Sequence, residues 1–321
     1  MKHYTPLAKF TRSAFIPLLS AITLSACGGS KAPPLPDGTV GVRITSAVET
    51  GVTAERITVI PNDVAPWVSQ ILVLADGQIY RTSATGGKAQ NVNAGSVKDI
   101  IGLMRKGQAG TALTLTQEGQ LTGLIEKDDE GRLARMNVSA KANRFDGFCQ
   151  SLKAPIQTLS AFAGKDLVTL EISYDGDEVM RVTETARRSL GKPITACLSR
   201  DEDVLIAAGG QLYAGSTALS TVGNAIHFAA LGKSSAPTLL VKKAGQAVET
   251  FKFSSPNKTH TVLVEDGMSI SGSDSLGAVF ATADSLGGTF NDGALIIQDE
   301  KTKRLILINK TFAENSLRRA P

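Results

Sequence analysis

Most of the chain is built from short apolar runs interrupted by Gly, Asp and Glu. "RITVI", "QILVLADGQIYRT", "ALTLTQEGQLTGLIE", "DLVTLEISYDGDEVMRVTE", "DVLIAAGGQLYAG", "TLLVKKAGQAVETFKF" and "GALIIQDEKTKRLILINK" all follow this pattern. Alternation over four to eight residues is the period of half-buried strands, not of helices. Turn pairs such as Asp76-Gly77 and Asp175-Gly176 join neighbouring runs as hairpins. "VKDIIGLMRKG", Val97 to Gly107, is the one stretch that tempts a helix, but it is short and ends in Gly. The hairpins recur about every forty to fifty residues, the length of a four-stranded propeller blade. Six blades of ~45 residues use ~270 residues. The pattern therefore predicts an all-β, six-bladed β-propeller, with a β-sandwich pair or a β-solenoid as the rival arrangement.

The N-terminus follows a different rule. Lys2, Lys9 and Arg12 precede the apolar run Ala14 to Leu19, and Leu24-Ser25-Ala26-Cys27 closes the segment. A basic stretch, a short apolar stretch and small residues at the cut form a secretory signal, too short to span a bilayer. The Leu-Ser-Ala-Cys ending resembles the lipobox of bacterial lipoproteins. That resemblance implies a lipid on Cys27, cleavage before it, and a membrane attachment built from several acyl chains. Gly28 at the next position implies the outer membrane of a Gram-negative cell, facing the periplasm or the surface. Residues 27–39, rich in Gly, Ser and Pro, read as a tether reaching roughly 30 Å at ~3 Å per residue. The expected organisation is a signal at 1–26, the tether at 27–39, one propeller at 40–315 and a solvated tail at 316–321.

Composition changes this picture in two places. Removing Lys2, Lys9 and Arg12 with the signal takes the formal charge from +4 to +1. A near-neutral chain has no electrostatic footprint for nucleic acid. Cys149 and Cys197 remain in an oxidising compartment, where they either pair as a disulfide or sit as two small buried apolar residues.

Candidate chemistry is sparse. His227, in "NAIHFAAL", and His260, in "NKTHTVLV", are the histidines of the mature chain. Neither accompanies a Gly-x-Ser-x-Gly elbow, and both read as structural. The acid clusters in "EKDDEGR" (Asp128, Asp129, Glu130) and "DGDE" (Asp175 to Glu178) read as solvated hairpin tips without EF-hand spacing.

The order of small pieces along Ser46 to Lys310 resembles the β-propeller phytases. "SAVETGV" is similar to that family's opening strand, and "NDVAPW", Asn62 to Trp67, to its Asp-Asp-Pro-Ala-Ile-Trp corner. "GQIYRTSATGGKAQNVNAGSVKDI" looks like its Tyr hairpin and Asn-Asn-Val-Asp segment. "FDGFC", "RRSLGKPITACLSRDEDVLIAAGG" and "GMSISGSDSLGAVFATADSLGGTFNDGALIIQD" follow in the family's order. The resemblance implies a six-bladed propeller, calcium in the central channel and hydrolysis of phytate, calcium polarising a bound water beside the substrate phosphates. Residue by residue, Asp63, Asp99 and Arg188 are the candidates for catalysis. Asp63, Asp99, Asp201 and Asp274 are the candidates for calcium.

The family's other acids are gone. Asn62 or Val64 stands for one member of the Asp pair, Ser96-Val97 for the Asn pair, and Thr195 and Val222 for glutamates. Ala207-Ala208-Gly209 covers the double Glu, and Phe145 the Tyr. Calcium affinity follows the number of carboxylates. The expectation is a phytase-like propeller that binds or scaffolds at the cell envelope with an envelope-protein partner, such as a transport or assembly machine. Residual phosphohydrolase activity is the alternative.

Overall fold

The computed structural model describes residues 35–127, 132–141, 144–200, 203–232, 237–252 and 255–319, with 255–258 as backbone only. Within these residues the chain forms five sheets. The first contains Arg56–Ile60, Gln70–Ala75, Gln78–Ser83 and Gln90–Asn91. The second has eight strands, beginning at Val97–Leu103 and ending at Gly147–Phe148. The third holds Ile194–Arg200, Asp203–Ala208, Gln211–Ala214 and Thr217–Thr221, with Gln150–Ser151 added. The fourth runs from Ala225–Leu231 to Ser255–Glu265, and the fifth contains Leu276–Thr282, Ala294–Asp299 and Arg304–Asn309.

The alternation seen in the sequence gives antiparallel neighbours throughout most of each sheet. The Asp76-Gly77 turn takes φ of 49° and 69°, the left-handed pair that a two-residue hairpin needs. Val97–Leu103, the segment with helical temptation, is a strand. It is buried on both faces, which is why its apolar run reads as continuous rather than alternating.

The arrangement is propeller-like. The first strands of the sheets, Ile194–Arg200, Ala225–Leu231, Leu276–Thr282, Arg56–Ile60 and Val97–Leu103, pack in that order around an axis, and Gly147–Phe148 with Gln150–Ser151 bridges Val97–Leu103 to Ile194–Arg200. Apolar clusters fill the gaps between successive sheets. One joins Ile71 and Val73 to Phe280 and Ile296, another joins Leu72 and Leu74 to Ile100 and Leu124, and a third joins Leu205 and Ala207 to Phe228 and Val241. Two strands before Arg56 close the ring. Thr39–Arg43 lies parallel to Ser255–Glu265, and Ser46–Glu49 pairs with Arg304–Asn309.

The eight-stranded sheet departs from simple blade repetition. Leu133–Lys141 pairs in parallel with Val179–Ser189, Asn137 opposite Val179 and Lys141 opposite Thr183. The sheet curls until its end strands, Val97–Leu103 and Gly147–Phe148, pack together. Leu113, Leu115, Phe145, Phe148, Leu170 and Met180 fill the inside of this nearly closed sheet.

The expected tail is a correction. Ser316 to Arg318 belong to the helix Lys310–Arg318, whose Asn309 cap accepts the Phe312 N–H. Ala313 and Leu317, four residues apart on one face, are buried in the cluster that contains Val40 and Val42. One buried stripe of two residues is enough to dock a short helix that propensity alone would leave frayed.

The close approach of the axial strands is set by Gly102. Its N–H donates to Thr58 Oγ1 at 2.9 Å, and a Cβ there would stand 1.7 Å from the Val59 carbonyl oxygen. Gly102→Ala is therefore expected to cost about 3 kcal/mol by forcing two packed strands apart, read as a lower denaturation midpoint in urea.

Candidate functional site

The centre of the ring is occupied by the protein's own backbone. Immediately after Gly147–Phe148 the chain leaves the second sheet, and at Gln150–Ser151 it pairs in parallel with Leu198 and Ser199 of the third. Between the two, Cys149 is disulfide-bonded to Cys197, so of the two readings open for these cysteines the structure takes the bridge.

Each following residue finds a partner on a different side. Phe148 O accepts from Arg56 Nη2 of the first sheet at 2.6 Å, and Phe148 N donates to Asp99 Oδ2 of the second at 2.7 Å. Gln150 Oε1 accepts from Phe228 N of the fourth sheet and Gln150 Nε2 donates to Val279 O of the fifth, both at 3.2 Å. Leu152 O accepts from Ala283 N at 2.6 Å, Ala154 N donates to Asp284 Oδ2 at 2.7 Å, and Pro155 O accepts from Met104 N at 2.9 Å. A segment that bonds to all five sheets runs along or across the axis. The space left beside it, bordered by Arg56, Gly102, Gln150 and Asp284, is about 10 Å³, the room of a single water.

The axial strands share a device that aims side chains inward. The ladder of Val97–Leu103 shifts between Val97 and Asp99, that of Ile194–Arg200 between Ile194 and Ala196, that of Ala225–Leu231 between Ala225 and His227, and that of Leu276–Thr282 between Leu276 and Val279. A bulge re-aims the residue next to it. Here Asp99 and Cys197 meet the crossing segment with their side chains, while Phe228 and Val279 meet Gln150 through backbone groups.

Asp99 is buried, and both of its oxygens are committed. Oδ1 accepts from Ile100 N at 2.8 Å and lies 3.1 Å from Arg56 Nε, an ionic contact not aligned as a hydrogen bond; Oδ2 takes the Phe148 N–H. Burial pushes its carboxyl above the ordinary range, against the pull of Arg56 and the two backbone N–H groups. His227 Nδ1 is buried without a hydrogen-bond partner. Burial, and then the charges of Arg56 and Lys242, push its pKa down to about 3. A base that weak takes up a proton poorly at neutral pH. His260 lies elsewhere, on an outer strand, its carbonyl accepting from Thr250 Oγ1.

The other predicted site residues do not join Asp99. Asp63 is exposed and its Oδ2 accepts from Gly107 N at 2.7 Å. Asp274 is exposed in the segment before Leu276–Thr282, and Arg188 is exposed on an edge region of the eight-stranded sheet, opposite Leu167. Asp201 and the cluster Asp128 to Glu130 lie outside the described residues. Among the described residues no group of three or more His, Cys, Asp or Glu is placed to hold a metal ion. Calcium does not fit here: the buried carboxylate already has a guanidinium and two N–H donors.

The "NDVAPW" corner is held by polar contacts of its own. Asn62 Oδ1 accepts from Val64 N and Ala65 N, Asn62 Nδ2 donates to Glu126 Oε2, and Asn62 N donates to Ser69 Oγ. Pro66–Val68 forms one 3₁₀ turn, whose backbone lies so near Gly287 that a Cβ there would stand 2.7 Å from Trp67 Cα. Trp67 is thus fixed at its backbone while its ring is exposed. Beside it is an open groove of about 410 Å³, lined by Val64, Ala65, Val68, Ala109 and Glu126. Sequence reasoning took Asn62 as a lost calcium ligand; it is the residue that makes the turn. Arg56, Gln150 and Asp284 were missed, and no local pattern distinguishes them.

No family model matches the chain, and no curated protein matches it. Among solved structures it is similar to BBS1N in complex with ARL6DN, at 7% identity over 85% of this chain and 97% of that one, TM-score 0.46. It is also similar to Saccharomyces cerevisiae Sqt1, at 7% identity over 84% of this chain and 99% of that one, TM-score 0.49. A third likeness is to PorZ, an essential bacterial surface component of the type-IX secretion system of Porphyromonas gingivalis. Identity there is 14% over 83% of this chain and 39% of PorZ, TM-score 0.40. Likenesses of this size carry no argument about activity, and the propeller-like description rests on the sheets themselves.

Two outcomes follow from the axial geometry. The folded pKa of His227 lies below the free value, so the folded state binds fewer protons than the unfolded chain, and stability present at pH 7 is lost as pH falls below 6.5. Between pH 7 and pH 4 this loss amounts to about 3 kcal/mol. His227→Gln is expected to flatten that part of the stability–pH curve relative to the parent. Replacing both Cys149 and Cys197 by Ala opens a loop spanning 48 residues and is expected to cost about 4 kcal/mol. Faster amide exchange at residues 150–154 reports the same loosening.

Proposed function

We propose that this chain is a lipid-anchored, phytase-like propeller of six blades that binds or scaffolds at the cell envelope and does not turn over phytate. The six-blade count divides the eight-stranded sheet into two four-stranded blades zipped along Leu133–Lys141 and Val179–Ser189. The placing of Gly147–Phe148 and Gln150–Ser151 between Val97–Leu103 and Ile194–Arg200 supports that division.

One observation carries the functional half of the proposal. The axis, where the resemblance places calcium and substrate, holds Phe148 to Pro155 and leaves about 10 Å³. An inositol phosphate is many times larger than a water. Asp99, one of the acids the resemblance carries over, faces Arg56 and accepts from Ile100 N and, in the crossing segment, from Phe148 N. A scaffold uses what remains, the end faces and the outer edges of the blades. An envelope-protein partner in transport or assembly is one form of this role. The lipid on Cys27 supplies the attachment.

The test is a phosphate-release assay on phytate with millimolar calcium, alongside a melting curve. No release above the uncatalysed rate is expected, and no rise in Tm with calcium, because a ligand that binds only the folded state must raise it. Calcium-dependent release abolished by Asp63→Ala overturns the proposal in favour of the phosphohydrolase.

A further inference from the structure

The exposed apolar side chains are not spread evenly. Seven large hydrophobic residues are exposed among the described residues, and five belong to one end of the ring, the end at which the axial strands finish: Leu35, Val64, Trp67, Ile156 and Phe312. Their segments are knitted together there. Asp63 accepts from Gly107, Pro155 from Met104, and Ser285 O from Ser69 Oγ; Asn309, the cap of the helix bearing Phe312, donates to Thr289 O. Leu35 leads into Thr39–Arg43, which lies against that helix. Ile226 and Met268 belong to the opposite end.

We infer that this end is a bilayer-docking face, with Val64, Trp67, Ile156 and Phe312 entering the interfacial region. The inference rests in part on the lipidation of Cys27. The described residues begin at Leu35, at this same end, and seven residues, or eight Cα–Cα steps, separate it from Cys27. Fully extended they reach at most about 28 Å, so an acylated Cys27 keeps this end close to the membrane. Val64 is 66% exposed, Trp67 63% and Phe312 60%. Exposure of that order on neighbouring loops marks an interaction surface. Trp and Phe are the rings that settle at the headgroup level.

The apolar groups stand on separate segments that also carry the exposed lysines Lys106, Lys127 and Lys153. A fluid interface accommodates separate points, whereas a stable protein partner needs a contiguous packed core. Exposed Asp63, Glu178 and Asp292 lie at the same end and offset the lysines. Apolar contact therefore carries the docking, and salt changes it little.

Trp67 is the chain's single tryptophan, so its emission reads this face and nothing else. The full mature chain is bound to vesicles of phosphatidylethanolamine and phosphatidylglycerol, and lipid on Cys27 is checked by mass. The expected result is a blue-shifted Trp67 emission, quenched severalfold by bromine-labelled acyl chains and retained at high salt. Replacing Val64, Ile156 and Phe312 together by Ala should abolish the quenching while the chain still sediments with the vesicles. A lipidated chain that sediments with water-exposed Trp67 emission overturns the docking face and leaves the anchor standing. If Cys27 carries no lipid, the anchor reading fails alone. The same chain, held on nickel-chelating vesicles by an N-terminal histidine tag, then decides the face by the same emission. Trp67 burial only upon addition of an envelope protein, with vesicles inert, also overturns it.

Discussion

A backbone that runs through the middle of a protein must find a partner for every N–H and C=O, because no water is available to replace one. Here that obligation falls on Phe148 to Pro155, and it is met by Arg56 from the first sheet, Asp99 from the second, Leu198 from the third and Ala283 beside the fifth, while the Gln150 side-chain amide bonds to Phe228 N of the fourth and Val279 O of the fifth. The requirement reaches back into the sequence. Bulges interrupt the ladders of four axial strands next to the residues that meet the crossing segment, and Gly102 lets Val97–Leu103 come close enough to Arg56–Ile60 to use the Thr58 hydroxyl. The disulfide fixes where the crossing begins.

The same constraint explains why the acids that look like relics of chemistry behave as they do. Asp99 is retained where it can hold Phe148 N and face Arg56; a carboxylate in that setting is structural, since removing it would strand a buried guanidinium. Asp284 plays a parallel role for Ala154 N, and burial raises its carboxyl in the same way. Asp63 and Asp274, which touch no part of the crossing segment, sit on exposed loops.

Strands and turns were legible because half-burial writes itself as alternation, and because Asp76-Gly77 has the chemistry its turn requires. The spacing of hairpins pointed to a propeller. The parallel zipper between Asn137–Lys141 and Val179–Thr183 was not legible: Met180 and Val182 alternate inward as in any half-buried strand, but Asn137–Lys141 buries no residue, and without a buried face a segment does not specify its register. The terminal helix was missed because only Ala313 and Leu317 mark it. The axial crossing was missed for a related reason. "FDGFCQSLKAPI" has no period of its own, and its structure is determined by residues up to about 130 positions away, such as Val279 for Gln150.

Ring closure has a consequence for the order of events in the cell. Ser46–Glu49 pairs with Arg304–Asn309, and Thr39–Arg43 with Ser255–Glu265, so two of the first strands to be synthesised wait for the last ones. Contacts of such sequence separation form late and slowly. A newly made chain therefore stays unlatched until nearly all of it has left the ribosome, which is the condition an export channel needs if it is to receive the polypeptide still threadable.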